Sequence, residues 1–116
     1  MTMDTDSLRD FIQDQLQGLG GVEFRRMFGG YGLYRADVFF GILHKDRLYF
    51  RTDDTSRQAY VDRGMQPFRP NMKQTLKNYY EVPPEIVEDS EALIAWAREA
   101  TQRQAVRRMR QSVSRR

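Results

Sequence analysis

Few side chains in the sequence could do chemistry, and the single histidine, His44, is the first to weigh. A serine triad would have to recruit this one residue, and zinc or non-haem iron sites usually need two or more His or Cys ligands. Cysteine is absent, which removes thiolate ligands, cysteine nucleophiles and disulfides. We interpret His44 as a partly exposed strand-end residue. The sequence thus predicts no catalytic residues, no metal site, no cofactor and no enzyme activity.

Two further segments could hold a ligand, and each has a simpler interpretation. A phosphate-binding glycine loop needs a strand before it and a helix after it, whereas the glycine-rich run 29–32 precedes a second strand pattern. A hairpin turn with positive φ angles fits that run better. Asp53 and Asp54 could bind a hard cation, but their position before a helical segment favours helix capping.

Aromatic and arginine residues are interleaved along the predicted strands, which allows a binding and a packing interpretation. Aromatics carried by a sheet beside arginines can stack single-stranded bases. Aromatics also fill cores and pair across strands, and no RNP-like run is present, so packing is preferred. The residues concerned are Tyr31, Tyr34, Tyr49, Tyr79 and Tyr80, with Arg25, Arg35 and Arg51.

The elements that must position these side chains follow from the hydrophobic pattern. Apolar residues from Leu8 to Leu19 recur at helical spacing, and Gly18, Gly20 and Gly21 end that helix. Short aromatic and β-branched runs joined by two-residue polar turns then predict an antiparallel meander. A short helix stopped by Gly64, two more strands and a last helix capped by Asp89 follow. The strands are predicted at 22–27, 31–35, 38–44, 47–52, 67–70 and 75–82.

The order α-ββββ-α-ββ-α predicts an α+β fold in two layers, with helices packed on an antiparallel sheet of about five to six strands. The run 38–43 is apolar on both faces, which predicts a central strand covered on both sides. Prolines in 67–70 suit a sheet edge. The 116 residues fit one domain, predicted at 1–102, and their 40% hydrophobic content supplies a core.

The remaining residues, 103–116, are predicted to form a separate Arg-rich tail. They contain six arginines and no acid, while 1–102 holds 13 basic and 16 acidic residues, so the net charges are +6 and −3. On a continued helix Val106, Met109 and Val113 would lie opposite the packed stripe, so the tail must project or change direction near 101–104. A frayed extension, an arm for nucleic acid or acidic proteins, and a membrane-surface segment all fit this composition.

The chain shows no pattern of a secretory signal at its start. A positively charged segment followed by an apolar run is absent there, and no stretch approaches the roughly 20 apolar residues that span a bilayer. We expect a cytoplasmic protein without a membrane span.

A set of motifs in a fixed order and spacing covers about residues 8–100. It comprises Arg26–Tyr34, Phe40-Gly41, Leu48–Arg51, Arg57, Gly64, Pro67-Phe68, Tyr79–Pro83, Asp89 and Trp96-Ala97. In this set the chain resembles the N-terminal domain of the TfoX/Sxy family of competence regulators. The resemblance implies a two-layer α/β fold with an antiparallel sheet, similar to secretion-chaperone-like folds.

The resemblance also implies a function. Bacterial regulators of this family are described as transcriptional co-activators of natural competence (DNA transformation) genes, acting with a cyclic-AMP receptor-type activator. The longer regulators carry a second, helical C-terminal domain, which residues 1–116 do not include. The implied role is a non-catalytic regulatory domain that binds a protein. A small-molecule-binding or nucleic-acid-binding domain that uses the aromatic and arginine sheet face and the basic tail is the alternative.

Candidate contact residues follow from these interpretations. The expected partners are a protein, with the transcription machinery as one candidate, nucleic acid through the tail, and a second copy through a sheet edge or the apolar tail residues. Predicted interaction residues are Arg26, Arg51, Arg57 and Tyr80 on the body, and Arg103, Arg107, Arg108 and Arg110 in the tail.

Overall fold

A computed structural model describes residues 4–27 and 29–113, the last twelve of these by their backbone. Helices and strands alternate in the predicted order. The elements are α1 (Thr5–Gln15), β1 (Val22–Met27), β2 (Gly30–Arg35), β3 (Val38–His44), β4 (Arg47–Arg51), α2 (Arg57–Asp62), β5 (Pro67–Asn71), β6 (Gln74–Glu81), α3 (Pro84–Val87) and α4 (Ser90–Val113).

In the described part of the chain six strands form one sheet, in the order β1-β2-β3-β4-β6-β5. Neighbouring strands are antiparallel throughout. The first four form the predicted meander, and the proline-containing β5 lies at an edge, as expected for a strand that lacks backbone donors. The predicted α+β class and antiparallel sheet are confirmed.

Tight turns set the register of the meander. Ala36 and Asp37 connect β2 to β3 with φ angles of 52° and 64°, the pair of left-handed residues that a two-residue hairpin loop requires. This geometry matches the right-handed twist of the flanking strands, so Arg35 pairs directly with Val38. The positions of these turns agree with the polar pairs that the sequence places between apolar runs.

A β-bulge sets which residues of the apolar central strand face the helices. Leu33 on β2 pairs with Gly41 on β3, but the next residue, Tyr34, pairs with Phe39, which leaves Phe40 as the extra residue. Phe40 therefore belongs to the core under the helices, while its neighbour Phe39 lies on the other side of the sheet. The predicted central position is confirmed. Helices cover one side of the strand, and side chains of the sheet itself cover the other.

The main core lies between the sheet and the helices. Helical residues from α1 through α4 meet sheet residues here, and the largest side chains are fully buried. Members include Leu8, Ile12, Leu33, Phe40, Leu43, Phe50, Tyr60, Ile86, Leu93 and Ala97. Packing against one another, these residues fix the orientation of the helices on the sheet.

The first helix is shorter than its apolar pattern suggests. It ends at Gln15, whereas the helical spacing continues to Leu19. Leu16 already departs from helical backbone angles, yet both it and Leu19 are buried in the core. The helix thus ends before the glycines that were predicted to end it, because burial of a leucine does not require that it lie on a helix.

The last helix begins as predicted and continues to Val113 as one element. The Asp89 carboxylate accepts a hydrogen bond from the Ala92 amide at 3.1 Å, which confirms the cap. Burial continues to Ala100 and Thr101. The change of direction that we considered near 101–104 does not occur in the backbone, and a domain boundary at 102 stays a prediction.

Candidate interaction surfaces

The sheet presents a second face that carries its own apolar cluster, which we call the open face. No residue of a described helix belongs to that cluster. It is built from side chains of β3 to β6, including Phe68 of the edge strand β5, whose ring centroid lies 4.7 Å from that of Tyr49 on β4. The buried members are Ile42, Tyr49, Phe68 and Tyr79, with Phe39 and Leu76 packed against them.

Three aromatic rings form a row across the open face. The rings of Tyr34 and Phe39 stack with centroids 5.0 Å apart and planes 28° apart. The Phe39 and Tyr79 rings follow at 5.4 Å and 36°. These distances lie in the range of favourable offset aromatic pairs. Tyr34 and Phe39 are half-buried, so the row remains accessible from solvent.

Arginines flank both ends of this row. The Arg25 guanidinium carbon lies 4.1 Å from the Tyr34 ring centroid, and that of Arg51 lies 5.8 Å from the Tyr79 centroid. Arg51 also donates a hydrogen bond to the Tyr79 hydroxyl at 3.4 Å. Burial raises the pKa of Tyr79, and Arg51 partly opposes that rise. We call these five residues, Arg25, Tyr34, Phe39, Tyr79 and Arg51, the arginine–aromatic row.

The charge of one of these arginines is compensated. Arg25 forms ion pairs with Glu23 at 2.9 Å and Asp37 at 3.3 Å, and the hydrogen bond to Glu23 raises the Arg25 pKa. Its guanidinium is thereby held over the Tyr34 ring. This end of the row combines an apolar ring with paired charges, so it carries little net positive field.

Gly32 makes room for the stacked rings. A Cβ atom at this position would lie 2.6 Å from the Met27 sulfur and 3.1 Å from ring carbons of both Phe39 and Tyr34. The glycine-rich run was interpreted as a hairpin turn, and Gly29 confirms this with a φ of 74°. Gly32 has a different role, since it allows close approach of side chains on the open face.

On the helix side, α1 and α3 border an open groove of about 690 Å³, which we call the α1–α3 groove. Its walls are mainly apolar and its rim is charged. The lining includes Leu8, Phe11, Leu48, Val82 and Val87, with Asp46, Arg47, Glu81 and Glu88 at the rim. An apolar floor with a charged rim is the usual construction of a helix-binding groove.

The rim of the groove is acidic. Arg47 pairs with Glu81 at 2.9 Å, and this carboxylate raises the Arg47 pKa, so the two charges cancel. Asp46 lies 3.9 Å from the same guanidinium. Among the described residues, none forms an ion pair with Glu88, which is exposed. The four rim charges therefore sum to −2.

The four body residues predicted to make contacts are not brought together. Arg51 belongs to the arginine–aromatic row. Arg26 is 75% exposed beside the Tyr31 ring on the helix side, where its guanidinium lies 3.9 Å from the Asp6 carboxylate. Tyr80 packs half-buried against Tyr60 at a ring distance of 6.2 Å. Each of these two therefore has a packing or pairing role in the fold.

The fourth, Arg57, is held by the ends of two strands. It donates to Thr52 Oγ1 at 3.3 Å, to Asp54 Oδ1 at 3.2 Å and to Asn78 Oδ1 at 3.1 Å. Its guanidinium thereby ties the start of α2 to β6. The side chains of the tail residues Arg103, Arg107, Arg108 and Arg110 lie outside the described part of the chain, so their predicted role stays a prediction.

Phe39 is the member of the row that the sequence interpretation missed. Strict alternation would place Phe39 and Gly41 on one face, but the bulge at Phe40 interrupts that alternation. The sequence did contain a signal for Phe39. The run 38–43 is apolar throughout, so its side chains must be buried on both faces of the sheet, the open face included.

His44 lies where we expected it, whereas Asp53 caps the turn before α2 and the N-cap of α2 itself is Ser56. His44 is half-buried at the end of β3, with its ring 5.3 Å from Phe68, and burial together with Lys45 lowers its pKa. The Asp53 carboxylate accepts from the amides of Thr55 and Ser56, in the turn that leads into α2. Within residues 4–27 and 29–113, no three His, Asp or Glu side chains gather as they would around a metal ion.

The described helices include none that is both long and apolar enough to cross a lipid bilayer. Residues 14–104 match the family model described as the TfoX N-terminal domain, which is 91 of the 116 residues. The matched segment contains the whole arginine–aromatic row. No curated protein matches the chain.

Proposed function

Because the chain belongs to the TfoX N-terminal domain family, we propose that it is a non-catalytic regulatory domain that acts by binding a protein partner. A regulatory role follows from the family. The observation that supports a protein-binding surface is the open face, where a row of accessible aromatic rings ends in arginines. Tyrosine and arginine are enriched among the residues that dominate protein–protein binding energy.

The row is also rigid, which favours binding. Its rings stack on one another and lie over Gly32, so their rotamers are restricted before any partner arrives. A partner that covers such a surface orders few additional side chains, and the entropic cost of association is correspondingly small.

The charges on this face favour a protein over a single-stranded nucleic acid. Binding of phosphates draws its affinity from uncompensated cations that release counterions. Arg25 already has Glu23 and Asp37 as partners, which leaves Arg51 as the row's arginine without a carboxylate among the described ion pairs. The stacked rings could still hold bases, so nucleic-acid binding is the second candidate, with the tail supplying the missing positive charge.

Three of the described side chains with shifted pKa values lie apart from one another, which supports a role without catalysis. Catalytic groups usually share one cleft, where their pKa values are shifted together. Here His44 faces Phe68 at one end of the sheet, Tyr60 is buried beside Trp96, and the Tyr31 hydroxyl donates to Asp6 at the edge of α1. Burial raises the Tyr60 pKa and the hydrogen bond to Asp6 raises that of Tyr31, so both stay protonated phenols.

We extend the proposal to the partner and the compartment. The partner is a component of the transcription machinery, as for the competence co-activators that the chain resembles, and the setting is the cytoplasm. The α1–α3 groove supports a small-molecule alternative less well, because its rim is open and its one cation, Arg47, already pairs with Glu81 and Asp46.

The test is affinity capture from host lysate with nuclease present or absent. We expect a captured protein that is retained after nuclease treatment. Tyr34→Ala and Arg51→Ala should lose it, and Arg26→Ala, an exposed arginine off the open face, should keep it. Capture that disappears with nuclease supports the nucleic-acid alternative. Capture that all three variants retain contradicts a role for the open face.

A further inference from the structure

The last helix continues for about three turns after Thr101, the last residue of α4 whose side chain is described. Ala100 and Thr101 are buried, and residues 102–113, which we call the arm, add about 18 Å of helix at 1.5 Å per residue. Isolated helices of this length are marginal in water and usually depend on packing of an apolar stripe. The arm is thus expected to need a partner surface.

The sequence of the arm suits a partner with an apolar floor and acidic edges. Val106, Met109 and Val113 recur at i, i+3 and i+7, which places them on one stripe of a helix. The rest of the arm is strongly basic, and its arginines are Arg103, Arg107, Arg108 and Arg110. An amphipathic helix of this kind is recognised by a groove that accepts its apolar stripe.

The body of the protein contains such a groove. Apolar residues line the α1–α3 groove, and its rim charges sum to −2, because Arg47 is the single cation beside three carboxylates there. Residues 1–102 as a whole carry −3, against +6 for the tail. Charge complementarity of this kind steers association and fixes its register.

The arm cannot reach the groove of its own chain. Glu88, at the groove rim, lies two residues before α4 begins at Ser90. Positions 106–113 lie 16 to 23 residues further along the same continuous helix, about 24–35 Å away along its axis. Docking in cis would require α4 to break, so the groove that receives the arm belongs to a different molecule.

We propose that the arm of one copy docks in the α1–α3 groove of a second copy, with Val106, Met109 and Val113 on the apolar floor and the arginines at the acidic rim. Each copy has one arm and one groove, so the exchange can be mutual and close as a two-fold dimer, the commonest symmetric assembly. The contact leaves the open face free for the partner proposed above.

The first test measures the mass of the full chain in solution, by light scattering or sedimentation equilibrium. We expect the mass to rise with concentration toward twice 13.8 kDa. Met109→Asp places a charge in the stripe and should give a monomer. Gln111→Asp makes the same change in charge on the opposite side of the helix and should associate like the wild type. A wild-type monomer at every concentration, or association that Met109→Asp leaves intact, overturns the proposal.

The second test addresses the groove. Glu88→Lys should raise the dimer dissociation constant about tenfold, whereas Asp14→Lys, an exposed carboxylate outside the groove, should change it little. Circular dichroism of both variants checks that they fold. Equal effects of the two substitutions would show that net charge alone drives association and would overturn the assignment of the groove. Capture through the open face is measured separately, so the two proposals can fail independently.

Discussion

The two faces of the sheet are both apolar, but different parts of the protein cover them. On the helix side, fully buried residues such as Phe40 and Phe50 pack against four helices. On the open side, strand side chains cover one another, and Tyr34 and Phe39 remain half-buried. The first arrangement removes almost all apolar surface from water, while the second leaves rings available. This difference separates residues that stabilise the fold from residues that can bind.

A single inserted residue sets the direction of that separation within one strand. Adjacent strand residues point to opposite faces, and the bulge at Phe40 shifts the alternation so that Phe40 faces the helices and Phe39 the open face. Phe39 and Phe40 are therefore a matched pair with the same side chain and the same strand but different environments, and they provide the sharpest way to test the division of roles.

The largest expected effect is on Phe40. Phe40→Ala should lower the free energy of unfolding by about 3–5 kcal/mol, since it empties a fully buried site between sheet and helices. Phe39→Ala should cost about 1 kcal/mol, because its ring is partly solvated already. Urea unfolding followed by circular dichroism measures both. Similar losses for the two variants would mean that the open face is as much a core as the other.

A smaller loss is expected at Gly32. Gly32→Ala should destabilise the fold by about 1–3 kcal/mol, because the new Cβ meets the Met27 sulfur and both stacked rings. The double variant Gly32→Ala/Met27→Ala removes the shortest of these contacts and should recover part of the loss. If Gly32→Ala is neutral in urea unfolding, the rings are not closely packed over this position.

His44 is expected to give a modest dependence of stability on pH. Burial and Lys45 lower its pKa below the ordinary 6.5, so the unfolded chain binds the proton more readily than the folded one. The stabilisation from neutral His44 is present above pH 6.5 and is lost as pH falls through the folded pKa. Relative to wild type, His44→Gln should flatten the fall in melting temperature between pH 7 and pH 5. A steeper fall in the variant would contradict the direction of this shift.

The smallest effect on stability is expected from removing the tail. Deleting residues 103–116 should leave the melting temperature of the dilute protein nearly unchanged, because on a continued helix Val106, Met109 and Val113 lie on the side opposite the packed stripe of α4. The truncated protein should elute from a polyanion column at lower salt, having lost six arginines. If the truncated protein unfolds, the tail is needed for stability. If its elution is unchanged, the tail does not bind the polyanion. Either result would contradict this account.

Much of the architecture could be predicted from local pattern. Two-residue polar turns such as Ala36-Asp37 and the alternation of apolar runs were sufficient for the hairpins, and Asp89 marked the start of α4. The bulge at Phe40 could not be predicted, since it depends on how two strands fit together. The end of α1 was missed for a related reason, because Leu16 is buried by tertiary packing outside the helix.

The binding surfaces were predicted less well than the fold. Residue type identified Arg51, but Arg26, Arg57 and Tyr80 turned out to lie apart from it, with partners of their own. Which arginines share a face depends on strand order, and the order β4-β6-β5 brings together segments that are distant in sequence. The α1–α3 groove is likewise formed by elements whose proximity no local pattern encodes.

The central claim is that a protein partner binds the open face. The most direct measurement is the amide chemical-shift change of the ¹⁵N-labelled domain on addition of the captured partner. We predict that the largest changes cluster around Tyr34, Phe39 and Tyr79, with small changes in α1 and α4. Changes centred on the helices, with the strand amides of the open face unmoved, would contradict this account.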